Sequence, residues 1–114
     1  MSEQVKISPA VGTWVVRAGG AVLGESDRAL EVIDGTSEPV IFFPRDDVAV
    51  EFLDDSDTRT NSVALGEAVY FSIVTKSTTL ADAAMSYEAP SDAGSDIAGY
   101  LGFLAGDLVA VEKL

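Results

Sequence analysis

The sequence predicts an all-β fold, compact and antiparallel, with little or no helix. Three observations predict it: a Gly-Gly turn between two short apolar runs, a β-branched and aromatic run over 67–75 that divides between two faces, and the absence of any sustained helical period capped at both ends.

Residues 14–17 (Trp14-Val15-Val16-Arg17) and 21–24 (Ala21-Val22-Leu23-Gly24) flank Ala18-Gly19-Gly20. Glycines accept the positive φ angles of a tight hairpin, so these runs predict a first β-hairpin. Strands are expected at 29–33 and at Val40-Ile41-Phe42-Phe43, separated by the turn formers of 34–39. Pro44-Arg45-Asp46-Asp47 then predicts a corner or a single helical turn, because Pro fixes its own φ and restricts the residue before it. Period two over 48–53 predicts a half-buried strand, with Val48, Val50 and Phe52 on one side. The polar stretch 54–61 reads as an exposed loop.

Residues 67–75 form the clearest strand, with Val69, Phe71 and Ile73 on one face and Ala68, Tyr70, Ser72 and Val74 on the other. Tyr70 has apolar neighbours on both sides, and a buried phenol needs a hydrogen-bond partner. Its face is therefore a structured polar core or a pocket wall. After a polar turn at 76–79, Met85-Ser86-Tyr87-Glu88 reads as a further strand and 90–96 as a loop. A closing hairpin is expected from 100–104 and 108–113 around Ala105-Gly106-Asp107.

A length of 114 residues leaves room for one core, so one domain over 1–114 is expected. With 47% hydrophobic and 23% charged residues, that domain can bury a core and has no reason to stay disordered. No apolar run approaches the length of a membrane span, and the start Met1-Ser2-Glu3-Gln4-Val5-Lys6 lacks the pattern of a secretory leader, so the cytoplasm is the expected compartment. Nineteen acidic against seven basic residues give a net charge of -12, which repels phosphate backbones and anionic lipid surfaces. Nucleic acid and membrane are poor partners for such a chain. The same charge keeps a small protein soluble.

The chain contains no Cys and no His. Thiolate and imidazole metal sites, disulfides, Cys nucleophiles and His-based triads are therefore excluded. No metal or cofactor is expected, and no catalytic residue can be assigned. The acidic clusters Asp46-Asp47 and Asp54-Asp55-Ser56-Asp57 carry oxygen ligands, but lack the alternation, Gly and distal Glu of a calcium loop, and read as solvated turns. The glycines do not form a phosphate cradle. Ser26, Ser62 and Ser86 have no His to activate them, and nothing in their spacing favours a Ser-Lys pair.

Two blocks, Gly24-Glu25-Ser26-Asp27-Arg28-Ala29-Leu30 and Pro39 to Val48, resemble the bacterial family known as domain of unknown function 427. Further matching blocks are Gly66-Glu67-Ala68-Val69-Tyr70-Phe71-Ser72-Ile73, then Ser86-Tyr87-Glu88 with Pro90, then Ile97-Ala98-Gly99-Tyr100 with Phe103. The resemblance implies a two-sheet, β-tent-like architecture with room for a pocket, and no assigned reaction. Where many members of that family carry His-Cys-Pro, an aromatic residue and Lys, this chain has Asn61-Ser62-Val63-Ala64-Leu65, and Met85 replaces their usual Trp. Thiol, metal or Lys chemistry therefore does not transfer to it.

The matched polar residues Arg45, Asp46, Glu67, Tyr70, Tyr87 and Glu88 come from separate segments. Five of them, Arg45, Glu67, Tyr70, Tyr87 and Glu88, are the candidate ligand-binding set; the competing reading is a corner ion pair with satisfied core hydroxyls. The functional expectation is a non-catalytic domain that binds a small molecule or a protein. Its alternatives are an enzyme using Glu67 or Glu88 beside Tyr70 or Tyr87, and a homo-oligomeric structural module.

The charge reading is testable directly. Titration of labelled single- and double-stranded DNA and RNA at low salt is expected to show no binding, and micromolar, salt-sensitive binding would overturn it.

Overall fold

The structure, a computed structural model, describes residues 5–35, 38–76, 78–104, 106 and 108–114. Its strands are β1 Val5–Pro9, β2 Trp14–Ala18, β3 Ala21–Ser26, β4 Leu30–Asp34, β5 Val40–Phe43, β6 Leu53–Ser62, β7 Gly66–Val74, β8 Thr79–Ser86, β9 Leu101–Phe103 and β10 Val109–Lys113. They form a seven-stranded sheet in the order β1-β4-β5-β9-β8-β7-β6 and a three-stranded sheet in the order β10-β2-β3. All pairings are antiparallel, as the sequence predicts. Short 3-10 turns at Arg45–Asp47, Val50–Phe52 and Asp92–Ile97 complete the regular structure, and no described helix is long and apolar enough to cross a membrane.

Strand β5 sets the layering. Phe42 and Phe43 are adjacent and must point to opposite faces, yet they are 2% and 0% exposed, so the large sheet is covered on both sides. Burial of each ring contributes about 1.5–3 kcal/mol. On the inner face Phe43, Ile73, Leu101 and Phe103 pack against Val16, Ala18, Leu23 and Val109 of the small sheet, with Phe43 and Phe103 edge to face at 5.8 Å. On the outer face Val32, Phe42, Ala68 and Met85 are capped by Leu65 from the β6–β7 turn, by Tyr87, and by Ile97 from the last 3-10 turn. The faces predicted for β7 hold: Phe71 and Ile73 join the inner core, Ala68 and Tyr70 the outer one.

The first hairpin forms as predicted, with Gly19 and Gly20 at φ 54° and 87°. Its strand β3 then touches the large sheet beyond β5. Gly24 bridges Val48, the Ala49 amide donates to the Leu23 carbonyl at 2.7 Å, and Arg28 pairs with Asp47 at 3.1 Å. A Cβ on Gly24 would lie 2.9 Å from the Asp47 carbonyl oxygen, so only glycine allows this approach. The corner predicted at 44–47 is the 3-10 turn Arg45–Asp47.

Four expectations are corrected. Residues 48–53 do not form a strand: Val48 makes one bridge and Val50–Phe52 is a 3-10 turn, because the chain must reverse from the corner into β6. The polar loop expected at 54–61 is β6 instead, an edge strand held by its backbone pairing to β7. Its exposed, charged side chains are those that protect a sheet edge from further pairing. The strand expected at 85–88 begins at Thr79 and ends at Ser86. Finally, β9 and β10 are no hairpin: β9 pairs with β5 and β8 in the large sheet, whereas β10 pairs with β2 in the small one. Ala105 and Asp107 of the expected turn lie outside the described residues, as do Thr36, Ser37 and Ser77 of the expected turns at 34–39 and 76–79.

Opposite the middle of β7, both neighbouring strands carry extra residues, at 56–58 in β6 and at 81–83 in β8. Asp82 sits there at φ 53°, a region Asp enters more readily than most residues. Its carboxylate accepts from the Ser56 and Thr58 hydroxyls, and its amide donates to Ser72 Oγ at 3.3 Å. Those hydroxyls, Ser56 first, hold its carboxyl below the usual range. Bulges bend and twist a sheet, and these two flank the same stretch of β7.

The centre of the large sheet leaves no slack. Gly102 faces Phe42 across the pairing of β9 and β5, and a Cβ there would lie 2.7 Å from the ring. Gly102→Ala is expected to destabilise the fold by about 1–3 kcal/mol through overpacking, read as a lower urea midpoint. An unchanged midpoint would show that the ring can move aside.

Candidate functional site

The candidate residues separate into two places. Arg45, Tyr70 and Glu88 line one groove of about 400 Å³, together with Asp55, Ser56, Asp57 and Arg59 from the bulged part of β6, and Val69 and Phe71 from β7. Tyr87 lies elsewhere, in a pocket of about 160 Å³ in the outer core. Glu67 is exposed opposite Asn61 and lines neither, and Asp46 is exposed in the corner.

In the groove Arg45 acts as a pin. Its Nε donates to the Gly99 carbonyl at 3.0 Å, its Nη2 donates to Glu88 at 2.9 Å and to Ser86 Oγ at 3.4 Å, and its guanidinium lies 5.8 Å from the centre of the Phe71 ring. The planar fork thereby ties the β5 corner to the end of β8 and to the turn before β9. Tyr70 shares a hydrogen bond of 3.1 Å with Thr60. The groove mixes both signs of charge over polar walls. Glu67 and Glu88 are both exposed, so the burial that a tuned carboxylate acid would depend on is missing.

The outer-core pocket differs in kind. Its floor is apolar, formed by Val32, Val40, Phe42, Leu65 and Met85, and its polar groups are Asp34, Glu38 and Tyr87. Period two in β4 places Asp34 on the same side as Val32, which is how a carboxylate reaches this apolar face. Ser62, at the end of β6, donates to Asp34 Oδ2 at 2.7 Å and accepts from the Leu65 amide at 3.1 Å, fixing the β6–β7 turn against β4. Tyr87 is 7% exposed and packs beside Phe42, with ring centres 6.2 Å apart. Burial, then the Asp34 carboxylate and Tyr70, push its phenol above the usual range, while the nearby Ser62 hydroxyl works against them. The phenol is therefore neutral at physiological pH.

A third cavity, of about 490 Å³, opens between the sheets on the inner face, walled by Trp14, Ile41, Phe103, Leu104 and Val111 with Glu31 and Glu38 beside them. Glu38 and Val40 line both this cleft and the outer pocket, so the start of β5 separates two cavities on opposite faces of one sheet. Among the described residues no group of three or more carboxylates is close enough to hold a metal ion.

Sequence reasoning missed Asp34, Glu38 and the structural role of Ser62. One signal was present: an acid two residues after Val32 in an alternating strand must share its face. The reach of Ser62 to Asp34 had no local signal, because it depends on where β6 ends relative to β4.

An antiparallel two-sheet domain with a pocket on the outer face of its larger sheet is the class that fold and site define. The chain belongs to the family described as a domain of unknown function (DUF427), whose family model matches residues 6–113. No curated protein matches it.

The pin makes a separable prediction. Arg45→Ala is expected to cost about 1.5–3 kcal/mol, because hydrogen bonds from a charged donor to the Gly99 carbonyl and to buried Ser86 are lost. Glu88→Gln, which removes only an exposed ion pair, should cost about 1 kcal/mol or less in the same denaturation assay. Equal losses would mean that the ion pair, not the fork, holds the corner.

Proposed function

We propose that this chain is a non-catalytic binding domain that takes a small molecule into the outer-core pocket. One observation carries the reading: an apolar cavity of about 160 Å³, walled by Phe42, Leu65 and Met85, receives Asp34, Glu38 and Tyr87 at its edge. A recess of this size is comparable with an engineered apolar cavity of roughly 150 Å³ that accepts benzene. Apolar walls with a few converging polar groups are the usual form of a ligand site. Two features of the sequence support the same reading. Neither His nor Cys is present to supply an acid, base or nucleophile, and among the positions that depart from the family pattern Leu65 and Met85 line this pocket while Ser62 holds its Asp34. The setting proposed for it is the cytoplasm, which suits a chain of net charge -12.

The test uses a probe of matching size. Benzyl alcohol is expected to bind with a Kd on the order of millimolar, as the small number of heavy atoms dictates, and at about ten times that Kd to raise the Tm by roughly 3–6 °C. Met85→Phe, which fills the cavity with a residue of similar character, should retain the fold and lose the shift. Absence of any shift in the native chain at 50 mM probe, on the order of fifty times that Kd, overturns the reading.

A further inference from the structure

Resting on that reading, we propose that the occupant is a small organic cation, with an ammonium or amidinium group on a compact apolar body. Both charged residues lining the outer-core pocket are carboxylates, Asp34 and Glu38, and the adjoining inner cleft adds Glu31; no Lys or Arg lines either cavity. The ion pairs among the described residues engage Arg17, Arg28 and Arg45 elsewhere, with Glu112, Asp47 and Glu88. Ser62 occupies Oδ2 of Asp34 and so leaves the second carboxylate oxygen able to accept from a ligand. Phe42 and Tyr87 line the same pocket, and aromatic rings beside a bound cation attract it wherever it meets a ring face.

Charge decides between ligand classes. An anion entering this pocket would meet two carboxylates and no compensating donor beyond the Tyr87 phenol. A neutral guest would gain the apolar floor alone. A cation gains the floor, both carboxylates and the rings, and is drawn toward a chain of net charge -12. A bare metal ion does not fit, since no group of three carboxylates converges among the described residues.

Three probes that share one aromatic body separate charge from cavity filling: benzylamine, benzyl alcohol and benzoate, titrated calorimetrically against the whole chain near neutral pH. Benzylamine is expected to bind at least about tenfold more tightly than benzyl alcohol, the smallest preference an ion pair at partial burial should give, and benzoate not at all. Asp34→Asn and Glu38→Gln should each lower the ratio of benzylamine affinity to benzyl alcohol affinity measured on the same variant. Glu51→Gln, which removes an exposed charge in the Val50–Phe52 turn, should leave it intact. Equal affinity for benzylamine and benzyl alcohol, or a preference that survives Asp34→Asn with Glu38→Gln, overturns the cation assignment and leaves the pocket standing. Failure of all three probes to bind removes the pocket as a site, and the cation with it.

Discussion

The architecture depends on the packing of Phe42 over Gly102. The ring lies across the one position in β9 with no side chain, and this places Phe42 among Val32, Met85 and Tyr87 on the outer face. Because adjacent residues of a strand alternate, the same backbone then delivers Phe43 to the inner face, against Phe103 and the small sheet. A single register thus feeds both cores. A shift by one residue would exchange the two rings and place each against the wrong neighbours.

The polar strand β6 is stabilised by different means. It has few apolar side chains to bury, and its hold comes from backbone pairing to β7 and from Asp82, which reaches it from β8 across the bulged region. The hydroxyl-rich sequence of β6 is thereby explained: Ser56 and Thr58 satisfy a carboxylate, Thr60 partners Tyr70, and Ser62 partners Asp34. These four hydroxyls tie the edge strand to three neighbours, Asp82, Tyr70 and Asp34.

What was legible in the sequence is what local alternation controls. β2, β3, β4, β5 and β7 announce themselves by apolar runs, period two and glycine turns, and the faces of β7 follow at once. β6 was hidden because its strand character lies in its partners. The Ala-rich start of β8 was hidden because small residues there serve close packing, with Ala83 and Ala84 buried in the inner core, and carry no strand signature of their own. Around Gly106 a turn signal is present, but a local turn cannot specify that the chain leaves one sheet for the other. At the site, Tyr87 was singled out because its segment resembles the family, whereas Asp34 and Ser62 lie 28 residues apart and meet only through the register of the whole large sheet.

The membership of the small sheet bears on how the chain acquires its structure. β2 and β3 are joined by a two-glycine turn and pair locally, but β10 arrives from far downstream, as the Arg17–Glu112 pair, 95 residues apart, records. Closing so long a loop carries an entropic cost that local hairpins avoid, and contacts of this separation slow folding. During vectorial synthesis the hairpin emerges early and keeps the free edge of β2 until β10 follows. The inner core lacks Val109 for the same interval. The nascent chain therefore passes through a stage with one open strand edge and an incomplete inner core, the stage most exposed to association with other chains.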